Sequence, residues 1–191
     1  MKKTLTIILA FVLVIAMSVA GTVAYLTSQD SVTNTFTVGN VAITLDEAKV
    51  DAYGAAVTSA ERVKANSYKL IPGHTYTKDP IIRVDANSEE CWLFVKVENG
   101  ISAIEDSTNN IAAQLAANGW SAVTTGAADV YAYKQSVAGG NNVPVFGSFK
   151  IDGDADVANY ANAKVVVTAY AVQADGFDNA AAAWAASGFG A

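Results

Sequence analysis

Cysteine and histidine each occur once in the 191 residues, as Cys91 and His74, and proline occurs only three times. A single cysteine excludes an internal disulfide and any cysteine-rich zinc site. A single histidine excludes every metal motif built on two. Cations are also scarce, with 12 Lys and Arg against 18 Asp and Glu and a formal charge of −6. That balance argues against a nucleic-acid partner, which needs clustered cations to displace phosphate counterions. Charged residues make up 16% and hydrophobic residues 52%, so the chain is not an acidic disordered segment. Its length fits one domain.

The cations that do occur begin with Lys2 and Lys3, the only charges before Asp30. They precede an unbroken apolar run, Ile7 to Met17, and then small residues: Ser18, Ala20, Gly21, Thr22 and Ala24. A positive start, a short apolar core and a small-x-Ala exit describe a secretory signal peptide over 1–24, an N-terminal signal helix. Cleavage after Ala24 is preferred to cleavage after Ala20 and leaves Tyr25 as the mature N-terminus. The alternative is an uncleaved membrane anchor over Leu5 to Leu26, the one route by which the chain would touch a membrane.

Beyond the signal, short alternating runs recur between turn residues, and 25–191 reads as a single mainly β domain. Strands are expected over Thr33–Val38, Val41–Asp46, Tyr68–Ile71, Thr75–Lys78, Ile81–Val84, Trp92–Glu98, Trp120–Thr124, Val130–Lys134, Val145–Ile151 and Lys164–Gln173. The stretch 47–66 reads as a surface excursion, and 138–144 as a long hairpin connection. Asn109–Asn118 is helical by its i,i+4 pair Ile111 and Leu115 and the stop at Gly119. The Ala-rich stretch Asn179–Ser187 is also helix-prone. Strands in this number with one or two short helices fit an antiparallel β-sandwich.

Few residues offer chemistry. His74 sits beside the Pro72-Gly73 turn with no second histidine to share a metal, and no GxSxG nucleophile motif is present. Asp152, Asp154 and Asp156 alternate like the first oxygen ligands of a calcium loop. Val157 and Ala163 then stand where its glycine and bidentate glutamate should be, so a solvated acidic loop is preferred to a calcium site. Glu89-Glu90 and Asp46-Glu47 read as solvated strand termini. Cys91 alternates with Leu93, Val95 and Val97 and reads as a buried, inert thiol. No catalytic constellation emerges, and an enzyme is not expected.

The segment AGTVAYLTSQDSVTNTFTVGNVAITLDE (20–47) resembles the start of the TasA/camelysin-like secreted proteins. Gly21, Thr22 and Ala24 match its signal exit, and Asn34, Thr35, Phe36, Gly39, Asn40 and Val41 match its first strand pair. Pro72, Gly73, Lys78 and Asp79 match its Pro-Gly-x4-Lys-Asp segment, and VVVTAYAVQADGF (165–177) is similar to its last strand. The excursion 47–66, the stretch 101–120 and the Ala-rich tail have no counterpart there. The resemblance implies a jelly-roll β-sandwich, a SipW-type signal peptidase cutting between Ala24 and Tyr25, and a role in Gram-positive cell-surface or biofilm-matrix fibres. In fibre-forming relatives the mature N-terminus adds a strand to the next subunit. Carried over, that donor is about 25–36, containing Tyr25, Leu26, Val32 and Phe36; the alternative is that 25–36 folds back on its own domain.

The expectation is therefore a secreted, self-assembling structural subunit of the extracellular matrix or cell surface, a homo-oligomer or filament without a cofactor. The alternatives are a monomeric surface adhesin or binding module and, behind it, a camelysin-like metalloprotease, which the single histidine disfavours. No LPxTG-type sorting motif is present, so covalent wall attachment is not expected.

Overall fold

The computed structural model describes residues 39–123 and 129–189. The signal peptide, the Ala24–Tyr25 junction and the donor segment with Tyr25, Leu26, Val32 and Phe36 lie outside the described residues, as does the strand expected over Thr33–Val38. What is described is mainly β, antiparallel throughout and sandwich-like, with two short helices, as the alternation implies.

The strands are β1 (Ile43–Asp46), β2 (Thr75–Thr77), β3 (Ile81–Val84), β4 (Cys91–Asn99), β5 (Trp120–Ala122), β6 (Val130–Tyr133), β7 (Asn142–Pro144), β8 (Ser148–Lys150) and β9 (Val165–Gln173). They form a three-stranded sheet ordered β1-β3-β7, a pair β2-β8, and a four-stranded sheet ordered β5-β6-β4-β9. The central strand β4 is buried on both faces. Cys91, Leu93, Val95 and Val97 point into the main core with Tyr76, Ile82, Phe146 and Phe149. Phe94 points the other way, into a second core with Val130, Ala132 and Trp184.

Helix α1 (Ile111–Ala117) starts where the Asn110 side chain accepts a hydrogen bond from the Ala113 N–H at 2.8 Å, and Ile111 and Leu115 bury its inner face. Helix α2 (Ala180–Ser187) is capped in the same way by Asn179 and ends at Gly188, whose φ of 73° is the left-handed geometry that glycine tolerates. It lays Trp184 over Phe94 and Tyr170 at ring separations of 5.0 and 5.6 Å. The helix thereby covers the second face of the four-stranded sheet.

Two stretches differ from the sequence reading. Asn142–Pro144 is a strand against β3, not a hairpin connection, and Pro144 is tolerated because β7 is an edge strand of its sheet among the described residues. Tyr68–Ile71 forms no strand, because its backbone groups are bound elsewhere. Lys69 N–H donates to the Ala52 carbonyl, and the Tyr76 hydroxyl joins the Lys69 carbonyl to the Ile71 N–H.

Candidate functional site

Two features stand out: one edge of the four-stranded sheet, and a buried polar cluster beneath the excursion 47–66.

The edge is β9. Gly100 N–H donates to the Lys164 carbonyl at 2.9 Å, and Ala174 N–H donates to the Glu90 carbonyl at 2.8 Å. Even-numbered residues of β9 therefore turn their backbone groups toward β4, and Val165, Val167, Ala169, Ala171 and Gln173 turn theirs outward. No strand takes those outward groups among the described residues. The strand VVVTAYAVQ contains no charge and no proline, the usual guards of an edge, and Val166 is 41% exposed. A long, uncharged, β-prone edge is a template for another strand.

The cluster gathers at the end of β1. Glu47 exchanges backbone hydrogen bonds with Val63, so the excursion folds back onto the strand that launched it. Glu47 is consequently not a solvated terminus: it is 5% exposed, and its Oε2 accepts from Lys78 Nζ at 2.6 Å. Its Oε1 accepts from Asn66 Nδ2 at 2.9 Å. That same nitrogen donates to the Ala48 carbonyl, while Asn66 Oδ1 accepts from the Val50 N–H at 3.0 Å. Tyr68 stands beside the site and edge-on to both Tyr76 and Phe149, which stack on each other at 4.9 Å. Burial first, and the Glu47 charge second, raise the Tyr68 hydroxyl pKa well above its ordinary value.

Beside this lies a more open group. Arg62 binds the Asp46 and Asp79 carboxylates and both their carbonyls, and Arg83 also reaches Asp46. Burial alone would raise the Asp46 carboxyl, but hydrogen bonds from Arg62 and Arg83 outweigh it and hold its pKa below the ordinary carboxylate value. A depressed folded value means the stabilisation is complete above the unfolded pKa and is lost as pH falls through the folded one. Urea midpoints are therefore expected to drop on acidification below about pH 4, and Asp46→Asn should flatten part of that drop. Asp106, held low chiefly by its hydrogen bond from Lys150, accounts for another part.

The remaining residues singled out in the sequence stand apart from both features. His74 is half-buried, its Nε2 bound to the Tyr53 carbonyl at 2.8 Å and its ring edge-on to Tyr76. Glu89 and Glu90 are exposed. Asp152 Oδ1 accepts from the Asp154 N–H and Asp156 Oδ1 from the Ala158 N–H, the local turns that aspartate makes with its own backbone. Asp154 is exposed between them. Among the described residues no three His, Cys, Asp or Glu side chains converge as a metal ion requires. Thermal midpoints with calcium and with a chelator are expected to coincide; a calcium-dependent rise would place a site on this loop.

Cys91 is fully buried, its thiol facing the Val137 carbonyl, and burial, with Glu90 second, pushes its pKa up to about 11. A thiol reagent at neutral pH is therefore expected to leave the folded chain unlabelled and to label one group after denaturation. A shallow depression near α1 is lined by Gln114, Asn118, Pro144 and Phe146. Both of its amide side chains are already committed to backbone partners, Gln114 to Ser148 and Asn118 to Val145.

No family model, curated protein or solved structure matches the chain.

Proposed function

We propose that this chain is a secreted structural subunit of the TasA/camelysin-like kind, not an enzyme, which assembles into cell-surface or matrix filaments by strand exchange. In this reading residues 1–24 direct export, a SipW-type peptidase cuts between Ala24 and Tyr25, and 25–36 of one copy adds to the sheet of the next. The jelly-roll winding of the family belongs to the same reading. The observation that carries it is the β9 edge: nine residues, uncharged, free of proline and paired on one side only among the described residues.

An added strand would satisfy the outward backbone groups from Val165 to Gln173 and set its side chains against alternate positions. Leu26, Val32 and Phe36 share one parity, so a donor in register turns all three to one face. One such head-to-tail contact, repeated, makes an open filament.

Two edge variants test the reading. Ala169→Pro removes an outward N–H without touching a bond to β4. Val166→Lys places a charge on an exposed position and should change the subunit's own stability by no more than about 0.5 kcal/mol. Both are expected to abolish filaments seen by electron microscopy while the wild type forms them. Filaments from both variants would refute β9 as the acceptor, and a wild type that stays monomeric would favour the binding-module alternative.

A further inference from the structure

The buried Lys78 and Glu47 and the half-buried Asn66 are an amine, a carboxylate and a carboxamide brought together beside the Tyr68 ring, with a hydrogen bond from each nitrogen to one of the two oxygens of a single carboxylate. A buried ion pair needs only the first two. The asparagine is held with equal care. Both contacts of its Nδ2 are oxygen acceptors, and its Oδ1 receives a backbone N–H from Val50.

We infer that Lys78 and Asn66 become joined by an intramolecular isopeptide bond, formed by the chain itself with Glu47 as the catalytic proton carrier. Each part of the reaction has its group in place. Glu47 Oε2 takes a proton from the Lys78 ammonium across the 2.6 Å hydrogen bond and leaves a nucleophilic amine. The amine attacks Cγ of Asn66, and the Val50 N–H on Oδ1 stabilises the charge that develops on that oxygen. Glu47, already bound to Nδ2 through Oε1, delivers the proton to the departing nitrogen. The Nζ–Cγ bond forms and the Cγ–Nδ2 bond breaks. Nδ2 leaves as ammonium, carrying the proton passed by Glu47 and the one Nζ sheds as it becomes an amide nitrogen. Glu47 ends as it began, and no oxidant, metal or cofactor enters the balance.

The bond would tie the end of the excursion 47–66 to the residue just after β2. It replaces a buried charge by an amide, which removes the desolvation cost of a buried ammonium. The inference stands on the cluster alone and does not depend on how the chain assembles.

Intact mass spectrometry of the purified chain, with its N-terminus determined independently, tests it. The wild type is expected to weigh less than its sequence by one ammonia. A tryptic digest should yield residues 65–69 joined to 70–83, with cleavage at Lys78 blocked. Lys78→Arg preserves a cation opposite Glu47 but cannot form this bond, and Glu47→Gln removes the proton carrier. Both are expected at their full sequence mass. A folded wild type at full sequence mass after days at neutral pH would overturn the inference. So would an ammonia loss that persists in Lys78→Arg, which marks cyclisation of Asn66 onto its own backbone.

Discussion

Trp184→Ala is expected to lower the unfolding free energy by about 3–5 kcal/mol, the range for emptying a large aromatic site in a packed core. Trp184 is 4% exposed although it lies in a helix near the end of the chain. It stacks obliquely on Phe94 and meets Tyr170 edge-on, so its removal leaves both rings facing a void. Collapse into that void is restricted because Phe94 is fixed by strands on either side of β4. Urea unfolding followed by the remaining tryptophans measures the loss. A loss under about 1 kcal/mol would mean that α2 frays independently and contributes little to the cooperative fold.

Glu47→Leu is expected to do comparable damage for the opposite reason. It strands the Lys78 ammonium, unjoined to Asn66 and without a counter-ion, at a site where lysine is 8% exposed, and this costs about 3–5 kcal/mol relative to the chain with the Lys78–Glu47 ion pair still unjoined. The double variant Glu47→Leu with Lys78→Met removes both charges and fills the space with carbon. It is expected to be more stable than Glu47→Leu alone by about 3 kcal/mol. Neither variant can form the Lys78–Asn66 bond, so their difference reads the buried charge and not the cross-link. Equal stabilities would show that water reaches Lys78 and that the pair is not buried in solution.

Most of the strand plan was legible because period-two alternation is enforced by burial on one face. The runs at Ile81–Val84, Trp92–Glu98 and Lys164–Gln173 appear within a residue of where the pattern puts them. The polar cluster was partly legible too. Ile43, Leu45 and Glu47 share a parity, and so do Tyr76, Lys78, Pro80, Ile82 and Val84, which are all buried. A glutamate and a lysine each at the inward position of a strand are a charge pair waiting to be matched. Reading Asp46-Glu47 together as a strand end hid this, because adjacent residues in a strand face opposite ways.

What alternation could not supply was the excursion's return. Arg62 and Asn66 reach Asp46, Asp79 and Glu47 only because 47–66 folds back, and that path depends on long-range fit. At Gly54, φ is 78° and a Cβ would stand 2.8 Å from the Tyr76 backbone, a contact no local pattern encodes. That β9 ends its sheet among the described residues was similarly out of reach, since which strand ends a sheet follows from strand order and not from the strand's own residues.

The most direct test of strand exchange uses the mature chain lacking 25–36 and a synthetic peptide of those twelve positions. The account predicts that the peptide binds one per domain, raises the melting midpoint of the truncated chain, and fails to bind when Ala169→Pro blocks the β9 edge. No binding to the truncated chain, or undiminished binding to the Ala169→Pro form, would contradict it.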